Sequence, residues 1–300
     1  RQLTSQLASQ SPDDIDVAPL LPAEILRQLE SVLSEREKEA DLFKAGLAPT
    51  KSLLFTGPPG VGKTISAKWI AKKLGKPLLT LDLSAVMSSY LGRTGTNVRF
   101  VLDYAKQREC VLLLDELDAI AKRRDDGSEI GELKRLVTVL LQEIDDWPPT
   151  GLLIAATNHA SLLDPAVWRR FELIVHFPLP DKGALQAFTE RTLKPLGVAD
   201  IAVHAIALAF VGGTLAELER ELNRLHRQIV MGGSVPLDLV RSTLTNRMDQ
   251  MQPEMRIDVA VGLVKSGFGQ REVADMLHVS RDTIRKRVRG AGTKDKTNGK

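Results

Sequence analysis

Leu53-Leu54-Phe55-Thr56-Gly57-Pro58-Pro59-Gly60-Val61-Gly62-Lys63-Thr64-Ile65 joins an apolar run to a glycine-rich turn and then to a helical period. Residues 53–56 have the length and apolarity of a buried strand, and 65–74 have the spacing of a helix. Between them, 57–64 fit the pattern G-x-x-x-x-G-K-[ST]. In such a loop the glycines let backbone N–H groups turn inward around phosphate oxygens. Lys63 reaches the outer phosphates, and the Thr64 hydroxyl is suited to Mg²⁺. The helix that opens at Ile65 aims its N-terminus at the same anion. The residues expected around a nucleotide are therefore Gly57, Pro58, Pro59, Gly60, Val61, Gly62, Lys63, Thr64 and Ile65.

Working outward, four further short apolar runs follow at 78–81, 111–115, 152–156 and 173–177. Helical segments separate them, 133–144 being one. Apolar strands alternating with helices specify an α/β fold with a five-stranded parallel sheet covered on both faces. Upstream, 1–20 are polar and read as a flexible arm, and the Glu-rich 21–45 as a linker helix. The α/β subdomain is expected over 46–180. Beyond Pro178 and Pro180 the pattern is helical throughout: a lid over 181–250, a further helical unit over 251–290, and a disordered basic tail over 291–300.

Composition sets outer bounds. The chain has 300 residues, 43% hydrophobic and 26% charged, as in an ordinary globular protein. Its one cysteine, Cys110, excludes an internal disulfide and a Cys-based metal site. No apolar run approaches the ~20 residues of a membrane span, and residues 1–12 lack a signal-peptide core. The expectation is a cytoplasmic protein without a membrane partner. The net charge of +3 is uneven: 281–300 carry eight Lys or Arg against two Asp, so 1–280 sum to −3. A basic end on a near-neutral body points to a local anionic partner. His159, His176, His204 and His226 show no metal-ligand spacing, and Trp147 and Trp168 read as packing residues.

The run Val111-Leu112-Leu113-Leu114-Asp115-Glu116 ends a strand in two carboxylates. Asp115 is suited to hold Mg²⁺, and Glu116 to polarise an attacking water. With GPPGVGKT, LLLDELDAI, AATN and LLDPAVWRRF in this order, residues 47–225 resemble the AAA+ superfamily, and within it the AAA clade proper. The resemblance implies Mg²⁺-dependent ATP hydrolysis in a homo-oligomeric ring, a hexamer. It implies that Asn158 is the sensor that helps position the water. It implies that Arg169 and Arg170 are fingers reaching the γ-phosphate of a neighbouring subunit. The usual G-R-F-D is here Arg169-Arg170-Phe171-Glu172, which favours Arg170 but leaves open which arginine acts, and whether both do. Gly212-Gly213-Thr214 resembles the lid turn that meets the nucleotide, through Gly213.

Tyr90, Leu91 and Gly92 resemble a pore loop that grips a polypeptide, and the acidic 125–129 a second one. The segment REVADMLHVSRDTIRKRV, within 254–290, resembles a resolvase- or sigma-type helix-turn-helix. Ile284 and Val288 would bury its third helix, leaving Arg281, Arg285, Lys286 and Arg289 outward for double-stranded DNA. His278 departs from the glycine usual at that turn. Three functions follow: a ring that remodels or unfolds a protein substrate, localised to DNA; an ATPase of DNA transactions, as in mobile elements or phage defence; or a regulatory ATPase controlling an associated effector such as a protease.

Overall fold

The computed structural model describes residues 7–12, 19–89, 94–119, 130–231, 243–245, 247–248, 251, 253–265 and 267–294. The chain divides into two compact units, Arg1–Pro178 and Leu179–Lys300.

The first unit is built on one six-stranded sheet. Its strands are β1 (Leu7–Gln10), β2 (Ser52–Thr56), β3 (Leu78–Asp82), β4 (Val111–Asp115), β5 (Leu152–Thr157) and β6 (Leu173–His176). Their order across the sheet is β1-β3-β4-β5-β2-β6. The five strands legible as apolar runs pair in parallel: Leu54 lies opposite Ala155 on one side and Ile174 on the other. All five residues of β2 and all six of β5 are buried. That is why these strands read as continuous apolar runs rather than as alternations.

The sixth strand was not expected. β1 lies within the segment read as a flexible arm, and pairs antiparallel to β3, with Leu7 opposite Leu81 and Gln10 opposite Leu78. An edge strand is held by main-chain bonds, so its sequence need not be apolar.

The period of two along each strand feeds two cores. Leu53, Phe55, Val111, Leu113 and Ile154 pack with Ile25, Leu29 and Val32 of α1 (Ala23–Glu37) and with Ala67 and Ile70 of α3 (Lys63–Lys73). The alternate residues Leu54, Leu112, Leu114 and Leu153 pack with Val101 and Leu102 of α5 (Thr94–Lys106) and with Leu140 and Ile144 of α6 (Ile130–Asp145). Trp147 is buried in this second core, a packing residue as its sequence setting suggests. α4 (Leu83–Ser89) follows β3, and α7 (Pro165–Trp168) precedes β6.

The Glu-rich linker is not one helix. It breaks at Lys38 into α1 and α2 (Glu39–Lys44). Arg36, near the break, is 9% exposed. Its guanidinium donates to the carbonyls of Pro149 (2.6 Å), Thr50 (2.7 Å) and Gly151 (2.8 Å). Beside it, Glu35 accepts the Thr50 N–H at 2.9 Å. This pair of residues fixes the approaches to β2 and β5.

The second unit is helical among its described residues: α8 (Lys182–Leu193), α9 (Asp200–Ala209), α10 (Leu215–Val230), α11 (Pro253–Lys265), α12 (Gln270–Leu277) and α13 (Arg281–Lys294). One core runs through all six, including Leu185, Ile206, Leu222, Leu263, Leu277 and Ile284. α9 and α11 approach closely at Gly262, where a Cβ would stand 2.6 Å from Leu208 Cδ1. α13 extends to Lys294, past the point where the disordered tail was expected to begin.

Candidate active site

β2 delivers the chain into the loop 57–62, and the first turn of α3 follows. Gly57 has φ 141°, and a Cβ there would collide with the Phe177 carbonyl oxygen. Gly62, at φ 104°, precedes α3, whose N-terminus has no side-chain cap and no acidic residue in its first turn. Its leading N–H groups are the orphan donors that an anion satisfies.

Lys63 begins α3 with its side chain folded back into the loop. Its ammonium donates to the carbonyls of Gly57 (2.6 Å) and Pro58 (2.7 Å) and to Asn158 Oδ1 (2.8 Å). Burial pushes its pKa down to about 8, while Asp115 and Asp118 act to raise it. The group therefore stays largely cationic at neutral pH. Next to it, Thr64 Oγ1 donates to Asp115 Oδ2 at 3.1 Å.

β5 lies between β2 and β4 in the sheet, so three strand ends meet here. β4 ends at Asp115, whose Oδ1 accepts the Glu116 N–H at 2.9 Å. Glu116 sits at φ 54°, a left-handed conformation that a side-chain-bearing residue adopts at a cost of about 1–3 kcal/mol. Its carboxylate is exposed. The turn is locked immediately afterwards, where Leu117 N–H donates to Ala156 O at 2.9 Å.

One participant escaped the sequence reading. Asp118 is 1% exposed and accepts from Thr157 Oγ1 (3.0 Å) and from the Asn158 N–H (3.1 Å). It fixes the backbone that carries Asn158, and thereby the amide oxygen resting on Lys63. The available signal was a third acidic residue set between apolar Leu117 and Ala119.

Lys63 with Asn158 and Thr64 with Asp115 thus form two adjacent hydrogen-bonded pairs in one cluster, and Glu116 follows Asp115. Arg169 and Arg170 have other surroundings. Asp164 caps α7 by accepting the Ala166 N–H at 2.9 Å, and both arginines follow that helix. Both arginines are exposed, and Arg170 pairs at the surface with Asp145 at the end of α6. Gly213 lies in the second unit, in the turn before α10. Arg281, Arg285, Lys286 and Arg289 are exposed on α13, and Ile284 is buried beneath them. His278 takes the turn before α13 at φ 50°. Tyr90, Leu91, Gly92 and 125–129 lie outside the described residues.

The cluster's donors suit a phosphate with its cation. A hydroxyl and a carboxylate, both hard oxygen donors, are what Mg²⁺ takes from a protein when phosphates supply the rest. Among the described residues no group of three or more His, Cys, Asp or Glu could hold a metal ion by itself, and no helix is long and apolar enough to cross a membrane.

Comparison with known proteins agrees with this geometry. Residues 53–179 match the family described as ATPase family associated with various cellular activities (AAA). The chain is also similar to an uncharacterized AAA family ATPase, y4kL, of Sinorhizobium fredii (strain NBRC 101917 / NGR234). The two are 41% identical over 202 residues, which cover 67% of this chain and 61% of the relative. The chain thus spans about three-fifths of that relative's length.

Proposed function

Since the chain belongs to the AAA+ superfamily through residues 53–179, we propose that it hydrolyses ATP to ADP and phosphate at the Lys63–Asp115–Asn158 cluster. The observation that carries this reading is the pair of bonds Lys63–Asn158 and Thr64–Asp115, which tie the ends of β5 and β4 to the uncapped N-terminus of α3.

The backbone of 57–62 and the first turn of α3 bind the phosphates, and Lys63 brings positive charge to them. Thr64 and Asp115 would hold Mg²⁺, which neutralises charge on the phosphate oxygens. Glu116 accepts a proton from water as the water oxygen bonds to the γ-phosphorus. The bond from that phosphorus to the bridging oxygen breaks, and ADP leaves with its electron pair. Asn158, held by Asp118, orients the water. Arg169 or Arg170 of a neighbouring subunit spreads the charge that develops, with the subunits in a ring of six. Either arginine suits the role, because both are exposed and a surface pair such as Arg170–Asp145 is held weakly.

The work done by the ring is the remodelling of a polypeptide gripped at Tyr90, Leu91 and Gly92. The exposed basic face of α13 favours one addition, localisation on double-stranded DNA. Phosphate release with Mg²⁺, with EDTA and for Lys63→Ala tests the core of this reading. Turnover that needs Mg²⁺ and is lost in Lys63→Ala is expected, and turnover in EDTA contradicts it. Sedimentation with ATP tests the ring, which a persistent monomer would exclude. Anisotropy of a labelled duplex tests the DNA face: Arg285→Glu with Lys286→Glu should weaken binding, and equal binding would remove DNA from the account.

A further inference from the structure

Within the second unit, α10 turns a charged face to a cleft of about 420 Å³, lined by Arg220, Arg224, Arg227 and Arg247 with Glu217 and Glu221. The five of these on α10 recur at helical spacing and share one side of the helix. Both carboxylates are spent inside the protein. Glu221 accepts Arg224 Nε at 2.9 Å through one oxygen and Thr243 Oγ1 at 2.7 Å through the other. Glu217 accepts both Nη atoms of Arg247 at 3.2 Å. The Arg247 guanidinium also stacks over the Phe210 ring, 4.1 Å from its centroid. Two cations are left over. Arg220 and Arg227 are exposed, and among the described residues neither makes a hydrogen bond or an ion pair.

This arrangement selects its guest. A cation would find both carboxylates already occupied. An anion finds two guanidinium forks with no protein acceptor, the geometry that pairs with a carboxylate. Seven residues along a helix separate them by about 10 Å. A uniform polyanion such as nucleic acid would lay phosphates along the whole row, against Glu217 and Glu221 as well. An extended acidic peptide carries its charge at intervals. Carboxylates two to four residues apart in such a peptide are about 7–13 Å apart. That interval spans Arg220 and Arg227, and leaves the glutamates opposite uncharged positions of the peptide.

We propose that the α10 cleft is a docking groove for an extended acidic segment of a partner polypeptide, gripped at Arg220 and Arg227. The pairs Glu221–Arg224 and Glu217–Arg247 hold the floor of the groove in place, so binding orders only the two outer side chains. Every residue of the groove belongs to the second unit. The proposal therefore stands or falls apart from the reading of the Lys63–Asn158 cluster, and apart from the basic face of α13.

The test is the anisotropy of a fluorescein-labelled peptide of alternating Glu and Ser, titrated with the full chain at low ionic strength, where surface charge is least screened. A labelled oligothymidylate of equal charge is the second probe. Arg220→Glu with Arg227→Glu reverses the groove, and Arg285→Glu with Lys286→Glu reverses α13 as a reference. The expected result is saturable peptide binding by the wild type, weakened about tenfold or more by the α10 pair and left unchanged by the α13 pair. Arg227→Glu sets an acid in the last turn of α10, where the helix dipole disfavours it. Arg220→Gln with Arg227→Gln removes the charge without that cost, and decides the matter if the reversal unfolds the helix. No saturable peptide binding by the wild type overturns the proposal. So does binding as tight in the Gln pair as in the wild type, or a loss confined to the α13 pair. Oligothymidylate weakened more than peptide by the α10 changes would make the groove a nucleic-acid site, and would equally overturn it.

Discussion

At the scale of single residues, Asp118 carries the clearest consequence. It is buried and holds both Thr157 Oγ1 and the Asn158 N–H. Asp118→Ala leaves those donors without their acceptor, and a lost hydrogen bond to a charged group costs about 1.5–3 kcal/mol. Urea unfolding followed by tryptophan fluorescence should show a loss of that size. Phosphate release from the folded variant should fall in kcat more than in KM, because Asn158 orients water rather than ATP. Gly57, Lys63, Thr64, Asp115 and Glu116 were legible in the sequence, since each belongs to a local pattern whose chemistry is fixed by adjacent residues. Asp118 was not, because its importance comes from β4 lying beside β5, a neighbourhood that no local pattern states. The pairing of Arg170 was hidden for the same reason: its partner Asp145 lies 25 positions away.

At the scale of elements, the strands were the legible part, because burial on both faces forces apolar runs. β1 was illegible because an edge strand needs only a main-chain partner. The break at Lys38 was equally hidden: 21–45 keeps a helical period across it, and the division of labour emerges only from the acceptors around Arg36. Those three carbonyls belong to the loops that lead into β2 and β5, of which the first is also tied to α1 through Glu35. Burial lowers the Arg36 pKa, with Glu39, Glu172 and Glu35 opposing it, so this cation is held by its neighbours. Arg36→Met keeps most of the apolar stem and loses the three bonds. The expected cost is about 2–3 kcal/mol, read as a lower urea midpoint with an unchanged slope. An unchanged midpoint would mean that the loops are fixed by other contacts.

At the scale of the whole molecule, the second unit bears on how its function is tested. The sequence divides it near residue 250, where the helical lid gives way to the resolvase-like segment. The core does not respect that division, because Leu263, Leu277 and Ile284 pack in the same cluster as Ile206 and Leu222. A chain ended at residue 250 would strip the apolar cover from α9. Burial of a large apolar side chain is worth about 1.5–3 kcal/mol, and several are lost together. The truncated chain should therefore lose cooperative unfolding of its second unit by circular dichroism. All three tryptophans (Trp69, Trp147 and Trp168) lie in the first unit, so their fluorescence should still report a folded α/β unit. Retention of a full cooperative transition would show that the lid stands alone. Point changes on the exposed face of α13 avoid this ambiguity, and are the cleaner way to ask about DNA.

The central claim is that this cluster hydrolyses ATP with Glu116 as the base. Steady-state phosphate release at saturating Mg²⁺-ATP, for wild type and Glu116→Gln, with ATP affinity measured alongside, tests it most directly. The account predicts turnover in the wild type, a rate at least about 100-fold lower in Glu116→Gln, and an ATP affinity of the same order in both. Equal rates in the two proteins would contradict it.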